Sequence, residues 1–247
     1  MRRAMARRLH PPPPPPTPPT PPPHAPPNAP TPLSIALVSY GEYHANPWNR
    51  AIHLVCVPAI FFSLLVGLAY VPAPLPGPLR PAAARLASLA HARLPLLFSE
   101  RGASAAFLDA PLPFLAFLAY ALYYALGLGA PVAGLCWTAC VGAPLWLSAV
   151  AWAAAAPATA WRWGAALHAA GWVAQIFPGH VLFERRRPAL ADSFWQAVAT
   201  APLFVFVEVM FAAGWNKGLR AEVAAGVEAA LTRHRRGLWA GAVEGRR

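Results

Sequence analysis

The sequence predicts an all-α fold: a polytopic membrane helical bundle of four to five spans behind a disordered, proline-rich N-terminus. Three observations predict it. Of 247 residues, 57% are apolar and only 12% are charged, about half the charged share of a typical soluble domain. The apolar residues gather into uncharged runs of near 20 residues, long enough to cross a ~30 Å hydrocarbon layer. Prolines and glycines punctuate the gaps between these runs. A soluble helical bundle is the competing class, and several uncharged stretches of that length argue against it.

Residues 1–33 form the leader. Its first ten positions are Arg-rich and carry no acid, and residues 11–32 hold 15 prolines in 22 positions. Such a tract has few amide donors and no apolar period, so it should sample polyproline II and stay solvated. No apolar core follows the early arginines, so no secretory signal is expected. The embedded domain is expected over 34–215. Its first span is 51–71, where Pro58 should kink the helix rather than end it. Residues 72–110, with five prolines in the first ten positions, read as a loop or insertion containing an interfacial Ala-rich helix at 82–93. Runs 111–130 and 131–152 give two spans joined by a Gly127/Gly129/Pro131 turn. Run 163–183 is apolar but contains two histidines and a glutamine, and run 194–215 has Glu208 in its middle. A basic tail, at most an amphipathic surface helix, fills 216–247.

Net charge is +11, and 19 of the 20 cations are arginines. They bracket the apolar runs and form no basic face. This pattern suits juxtamembrane charge facing membrane lipids and argues against a nucleic-acid partner. Three cysteines, all in apolar segments, fit neither a disulfide framework nor a sulfur-rich zinc site. Oligomeric state is not legible.

Ionisable side chains inside apolar runs are costly, so they are the first candidates for chemistry. Two clusters stand out. In 39–53, Asn46-Pro47 reads as a turn or helix start, Asn49 and His53 lie four apart on one helical face, and His44 lies just upstream. In 168–190, His168 and Gln175 are seven apart on one face. Pro178-Gly179 should break the run and redirect it, and His180 and Glu184 share a face only if helix continues beyond it. If the span at 51–71 crosses one way and two spans return the chain, run 163–183 ends beside the start of the first span. His180 then meets His44 and His53, whereas His168 joins them only through a kink, being ~18 Å from His180 along a straight helix. Three or four imidazoles with open coordination positions beside an apolar slot suit non-haem Fe(II) acting on O2 and a lipid, with Glu42 or Glu184 as a possible carboxylate. Arg187, in the 185–187 arginine cluster, flanks a span and could grip a fatty-acid carboxylate. Tyr40 reads as an interfacial anchor.

These motifs resemble a fungal and plant membrane family, the 2-hydroxy fatty acid dioxygenases. The resemblance rests on Tyr40, His44, Asn49, His53 and Pro58, then on His168, Trp172, Gln175, Gly179, His180, Glu184 and Arg187-Pro188-Ala189-Leu190. It covers about 34–71 and 110–215. It implies a multi-pass enzyme of the endoplasmic reticulum membrane that uses Fe(2+) and O2. Such an enzyme shortens a 2-hydroxy fatty acid, a product of phytosphingosine breakdown, by one carbon with loss of CO2. It implies His44, His53, His168 and His180 as metal-binding and catalytic residues, so that alanine at any of them abolishes turnover. It places Tyr40, Asn49, Gln175, Glu184 and Arg187 around the metal or the substrate. The alternative is a non-catalytic membrane lipid carrier or scaffold whose polar groups satisfy one another. A hydroxylase or desaturase is disfavoured, because the chain has none of their short HxxxH or HxxHH boxes.

Overall fold

The computed structural model describes residues 30–93, 95, 99–185 and 194–244. The leader up to residue 29 and the stretch containing Arg187 lie outside the described residues. All secondary structure within them is helical, as expected.

Helix α1 (Pro32–Tyr43) starts where Thr31 Oγ1 accepts the Ser34 N–H at 3.1 Å and Pro32 supplies the fixed φ of a first turn. It claims two residues assigned by sequence to the leader. Helix α2 (Pro47–Leu68) starts at the expected signal: Asn46 caps it by accepting the Trp48 N–H at 2.9 Å, and Pro47 follows. Pro58 lies inside α2 and does not end it. The segment expected as a loop or insertion is mostly helical, with α3 (Arg80–Arg93) covering the anticipated 82–93 helix and α4 (Glu100–Ser104) running into a π-turn at Ala105–Asp109.

Helix α5 (Pro111–Leu122) ends in a π-turn. Helices α6 (Pro131–Trp137) and α7 (Ala143–Ala155) are joined by a further π-turn into one rod. Helix α8 (Ala160–Ala174) continues without a break as a π-helical segment, Gln175–Glu184. Helices α9 (Phe194–Ala212) and α10 (Lys217–Glu244) complete the fold. The tail is thus a helix laid on α1, and a Cβ at Gly41 or Gly226 would collide with Val227 or Val38 across that contact.

Among the described residues, two helices are long and apolar enough to cross a membrane, Pro47–Leu68 and Pro131–Ala155. The number rises to four if two bent pairs each count as one span: Glu100–Asp109 with Pro111–Gly127, bent by 75°, and Ala197–Ala212 with Lys217–Arg236, bent by 118°. Four to five spans were expected. The difference is run 163–183, whose His, Gln, Trp and Gly residues dilute its apolar character below that of α2. Val55, Leu126, Val132, Leu135 and Val173 remain exposed on the outside, an apolar exterior suited to lipid.

Helices α2 and α8 form the spine of the site. Gly164 faces Val66, Gly171 faces Ile60, and Gly179 faces Asn49. The order is reversed along α2, so the two helices run antiparallel, and small residues at seven- and eight-residue spacing let them approach closely.

Candidate metal centre

The head of α2 and the tail of the π-segment meet as the topology predicts. His44 leaves the end of α1, His53 sits two turns into α2, and His180 projects from the π-segment. All three are buried, at 6%, 4% and 4% exposure. Their rings meet edge to face, with centroids 4.4 Å apart for His44–His53, 5.0 Å for His44–His180 and 5.1 Å for His53–His180. One nitrogen from each lies within 4.8 Å of the others.

Pro178-Gly179 was expected to break and redirect the run, but the chain continues in wide π-turns. Proline lacks an N–H and crowds the preceding turn of an α-helix, and a wider turn accommodates both problems. Residues five apart then share a face, which brings buried Gln175 into line with His180. The segment ends at Arg185 in a left-handed conformation, φ 55°. Gly179 has no room for a side chain: a Cβ there would lie 2.6 Å from Asn49 Oδ1.

Local hydrogen bonds set the imidazoles. His44 Nδ1 meets the Tyr40 carbonyl at 2.7 Å and His53 Nδ1 meets the Asn49 carbonyl at 2.9 Å. A carbonyl can only accept, so each Nδ1 carries the proton and each Nε2 presents a lone pair, the orientation that metal-binding histidines take. Burial, reinforced by His53, holds the His44 pKa well below its usual value and keeps the ring neutral. His44 Nε2 and His180 Nδ1 are buried without a hydrogen-bond partner. Unpaired buried nitrogens are expensive, and a shared cation is a partner that would satisfy them. The donor set therefore fits a divalent first-row metal that favours imidazole.

The expected carboxylates are not in the three-histidine group. Glu184 is occupied otherwise: its Oε1 accepts the Ala45 N–H at 3.0 Å, and its Oε2 accepts the Asn46 N–H at 3.0 Å and the Asn49 Nδ2–H at 3.1 Å. It clamps the loop that carries His44 onto the positive end of α2. Glu42 is outside the three-histidine group. Glu208 faces Arg50 at 3.9 Å.

His168 is also outside the group. Ser63 Oγ donates to the Ile60 carbonyl at 2.9 Å, so toward His168 Nδ1, 3.0 Å away, it accepts. His168 Nε2 accepts the Trp172 indole N–H at 2.9 Å. Both ring nitrogens are engaged and no lone pair remains for a metal. The kink that would carry His168 to the other three does not form.

The three histidines open onto a cavity of about 210 Å³. Along α2 its wall is His53, Val57, Ile60, Phe61 and Leu64, one helical stripe, and Trp172 and Ile176 face it from the other side. Tyr40 and Gln175 are among the polar residues of the lining, together with Ser39, Tyr43, Tyr120 and Thr200. Tyr40 stacks on His44 at 3.9 Å, and both its hydroxyl and Gln175 Nε2 are buried without a partner. Burial, reinforced by the Glu208 carboxylate, raises the Tyr40 pKa well above its usual value, so the phenol keeps its proton and can donate.

Residues 31–213 match the family described as "2-hydroxy-palmitic acid dioxygenase Mpo1-like". The chain belongs to the Mpo1-like family. A stretch of 51 residues is 45% identical to the 2-hydroxy-palmitic acid dioxygenase MPO1 of Saccharomyces cerevisiae, covering 21% of this chain and 29% of the yeast protein. The chain therefore matches under a third of that relative's length. No solved structure matches. In this Mpo1-like chain the matched region contains every histidine of the cluster and the whole cavity wall. The sequence reading missed Ser63 and the cavity residues Phe61 and Leu64. Ser63 carried a signal, as the lone hydroxyl in stretch 51–69, which is apolar apart from it and His53.

Proposed function

We propose that this chain is a membrane dioxygenase that converts 2-hydroxy fatty acids to fatty acids one carbon shorter, with Fe(II) held by His44, His53 and His180. One observation carries the reading: three buried, lone-pair-bearing imidazoles converge at the head of an apolar slot. The family match and the donor set support it.

When bound, Fe(II) would supply open coordination positions and the redox chemistry through which O2 reacts. The chain's own residues do the rest. The unpaired Tyr40 hydroxyl and Gln175 amide are donors for the carboxylate and 2-hydroxyl of the substrate, and they orient its C1–C2 bond toward the histidines. Val57, Ile60, Phe61 and Leu64 take the acyl chain and exclude water. Glu184 and Asn49 hold the His44 loop in register, and the charge of Arg187 attracts the anionic head group. In the overall reaction the C1–C2 bond breaks, C1 leaves as CO2, and C2 becomes the new carboxyl carbon. One O2 is consumed and one water is released. The apolar exterior suits lateral entry of the acid from lipid, in the endoplasmic reticulum membrane.

The test is product analysis of purified, Fe(II)-loaded protein with a 2-hydroxy acid of sixteen or eighteen carbons under air. The expected product is the acid one carbon shorter, with one O2 consumed per turnover. Unchanged substrate recovered from iron-loaded protein would overturn the reading and favour a lipid carrier.

A further inference from the structure

His168 and Trp172 stand between two spaces. Trp172 lines the histidine-headed cavity, whereas His168 lines a second, wider groove that runs on past Gly67 and Ala165. Leu64 belongs to both. The indole N–H to His168 Nε2 bond, 2.9 Å, ties the wall together, and Ser63 on α2 fixes the imidazole from behind. Ser63 lies ten residues beyond His53, ~15 Å along the helix axis. That is half of a ~30 Å hydrocarbon core, the depth that one lipid chain fills.

We propose that His168 is a positioning residue, not a metal ligand: by holding Trp172 it closes the floor of the acyl cavity and sets the chain length admitted. The groove beyond is the subsite into which a longer tail runs once the floor is opened. The occupant follows from continuity: a chain whose head lies at the three histidines and whose body follows the α2 stripe reaches Leu64 and meets this wall. Without His168 the Trp172 N–H loses the acceptor that holds it, and the indole turns away. The identity of the occupant rests on the proposed function; the wall itself does not.

The test compares wild type, H168A, W172F and the double variant, each as the full chain in detergent. W172F keeps an aromatic ring but removes the N–H. Two readouts are taken: bound iron per chain after anaerobic Fe(II) loading, and displacement of a fluorescent fatty acid by 2-hydroxy acids of sixteen and twenty-two carbons. H168A and W172F should bind iron as wild type does. Both should shift the affinity ratio toward the longer acid by roughly tenfold, the scale on which apolar pockets discriminate length, and the double variant should shift it no further. Loss of iron from folded H168A would restore His168 to the metal, and an unchanged ratio in iron-loaded variants would place the floor elsewhere. If wild type sorts acids by length yet turns none over, the proposed reaction fails while the partition stands.

Discussion

Glu184 Oε2 accepts a hydrogen bond from Asn49 Nδ2 at 3.1 Å across 135 positions of sequence. The same carboxylate takes the amides of Ala45 and Asn46. One anion therefore fastens the end of the π-segment, which carries His180, to the start of α2, which carries His53, with the His44 loop in between. Replacing Glu184 with alanine should lower stability by about 2 kcal/mol, the scale of hydrogen bonds to a charged group. It should also weaken metal binding by about 10–100-fold, as losses behind a metal's direct ligands do. Thermal unfolding and Fe(II) titration check both. Intact metal affinity would mean that the loop holds without the clamp.

His44, His53 and His180 should each be indispensable. Alanine at any one leaves two imidazoles, and iron affinity should fall by more than the roughly 100-fold that marks loss of an outer partner. The protein should still accumulate in membranes, because the rings contact one another and Tyr40, whereas the aromatic core around Phe117, Trp137 and Trp146 packs separately from them. Metal analysis of the purified variants decides the matter. A variant that keeps one iron per chain removes its residue from the site.

Acid should weaken the fold through His44. Burial and the neighbouring His53 depress its pKa well below the ordinary 6.5. The unfolded chain therefore binds a proton below about pH 6.5 that the folded chain refuses, so the stabilisation is complete above that pH and is lost as pH falls through it. The slope cannot exceed about 1.4 kcal/mol per pH unit for one group. Unfolding of metal-free protein between pH 7.5 and 5.5 should show declining stability, and His44→Gln should flatten the decline. An equal slope in both proteins would assign the effect to other groups.

Much of this arrangement was legible from residue spacing. Asn46-Pro47 announced the start of α2, and counting spans placed His180 beside His44 and His53. What spacing could not supply was tertiary. His168 and Gln175 share an α-helical face on paper, yet His168 is claimed by Ser63, 105 positions away, and by Trp172. Pro178-Gly179 reads as a break because proline disrupts α-turns. The structure absorbs it with π-turns, in which Gly179 packs closely against Asn49 of the facing helix, a contact 130 positions away in sequence. The expected four to five spans meet the structure at four, counting each bent pair as one; run 163–183 is not among them, because polar site residues sit in it.

Two glycines on the same pair of helices should behave in opposite ways. At Gly179 an added methyl would lie 2.6 Å from Asn49 Oδ1 and 3.6 Å from His53 Cε1. Asn49 is fully buried and its amide is held by Glu184, so it has little freedom to retreat. Gly179→Ala should cost about 1–3 kcal/mol, as overpacking does, and should lower iron binding, since the methyl pushes α2 away from His180. At Gly67 an added methyl meets nothing within 4 Å. There, in the last turn of α2, alanine should stabilise by at most about 0.5–1 kcal/mol through its better helix propensity and leave iron binding unchanged. Thermal unfolding and iron content of the two variants, measured side by side, test the claim. If Gly179→Ala matched Gly67→Ala in both, the close approach of α2 and the π-segment would not be what holds the three histidines together.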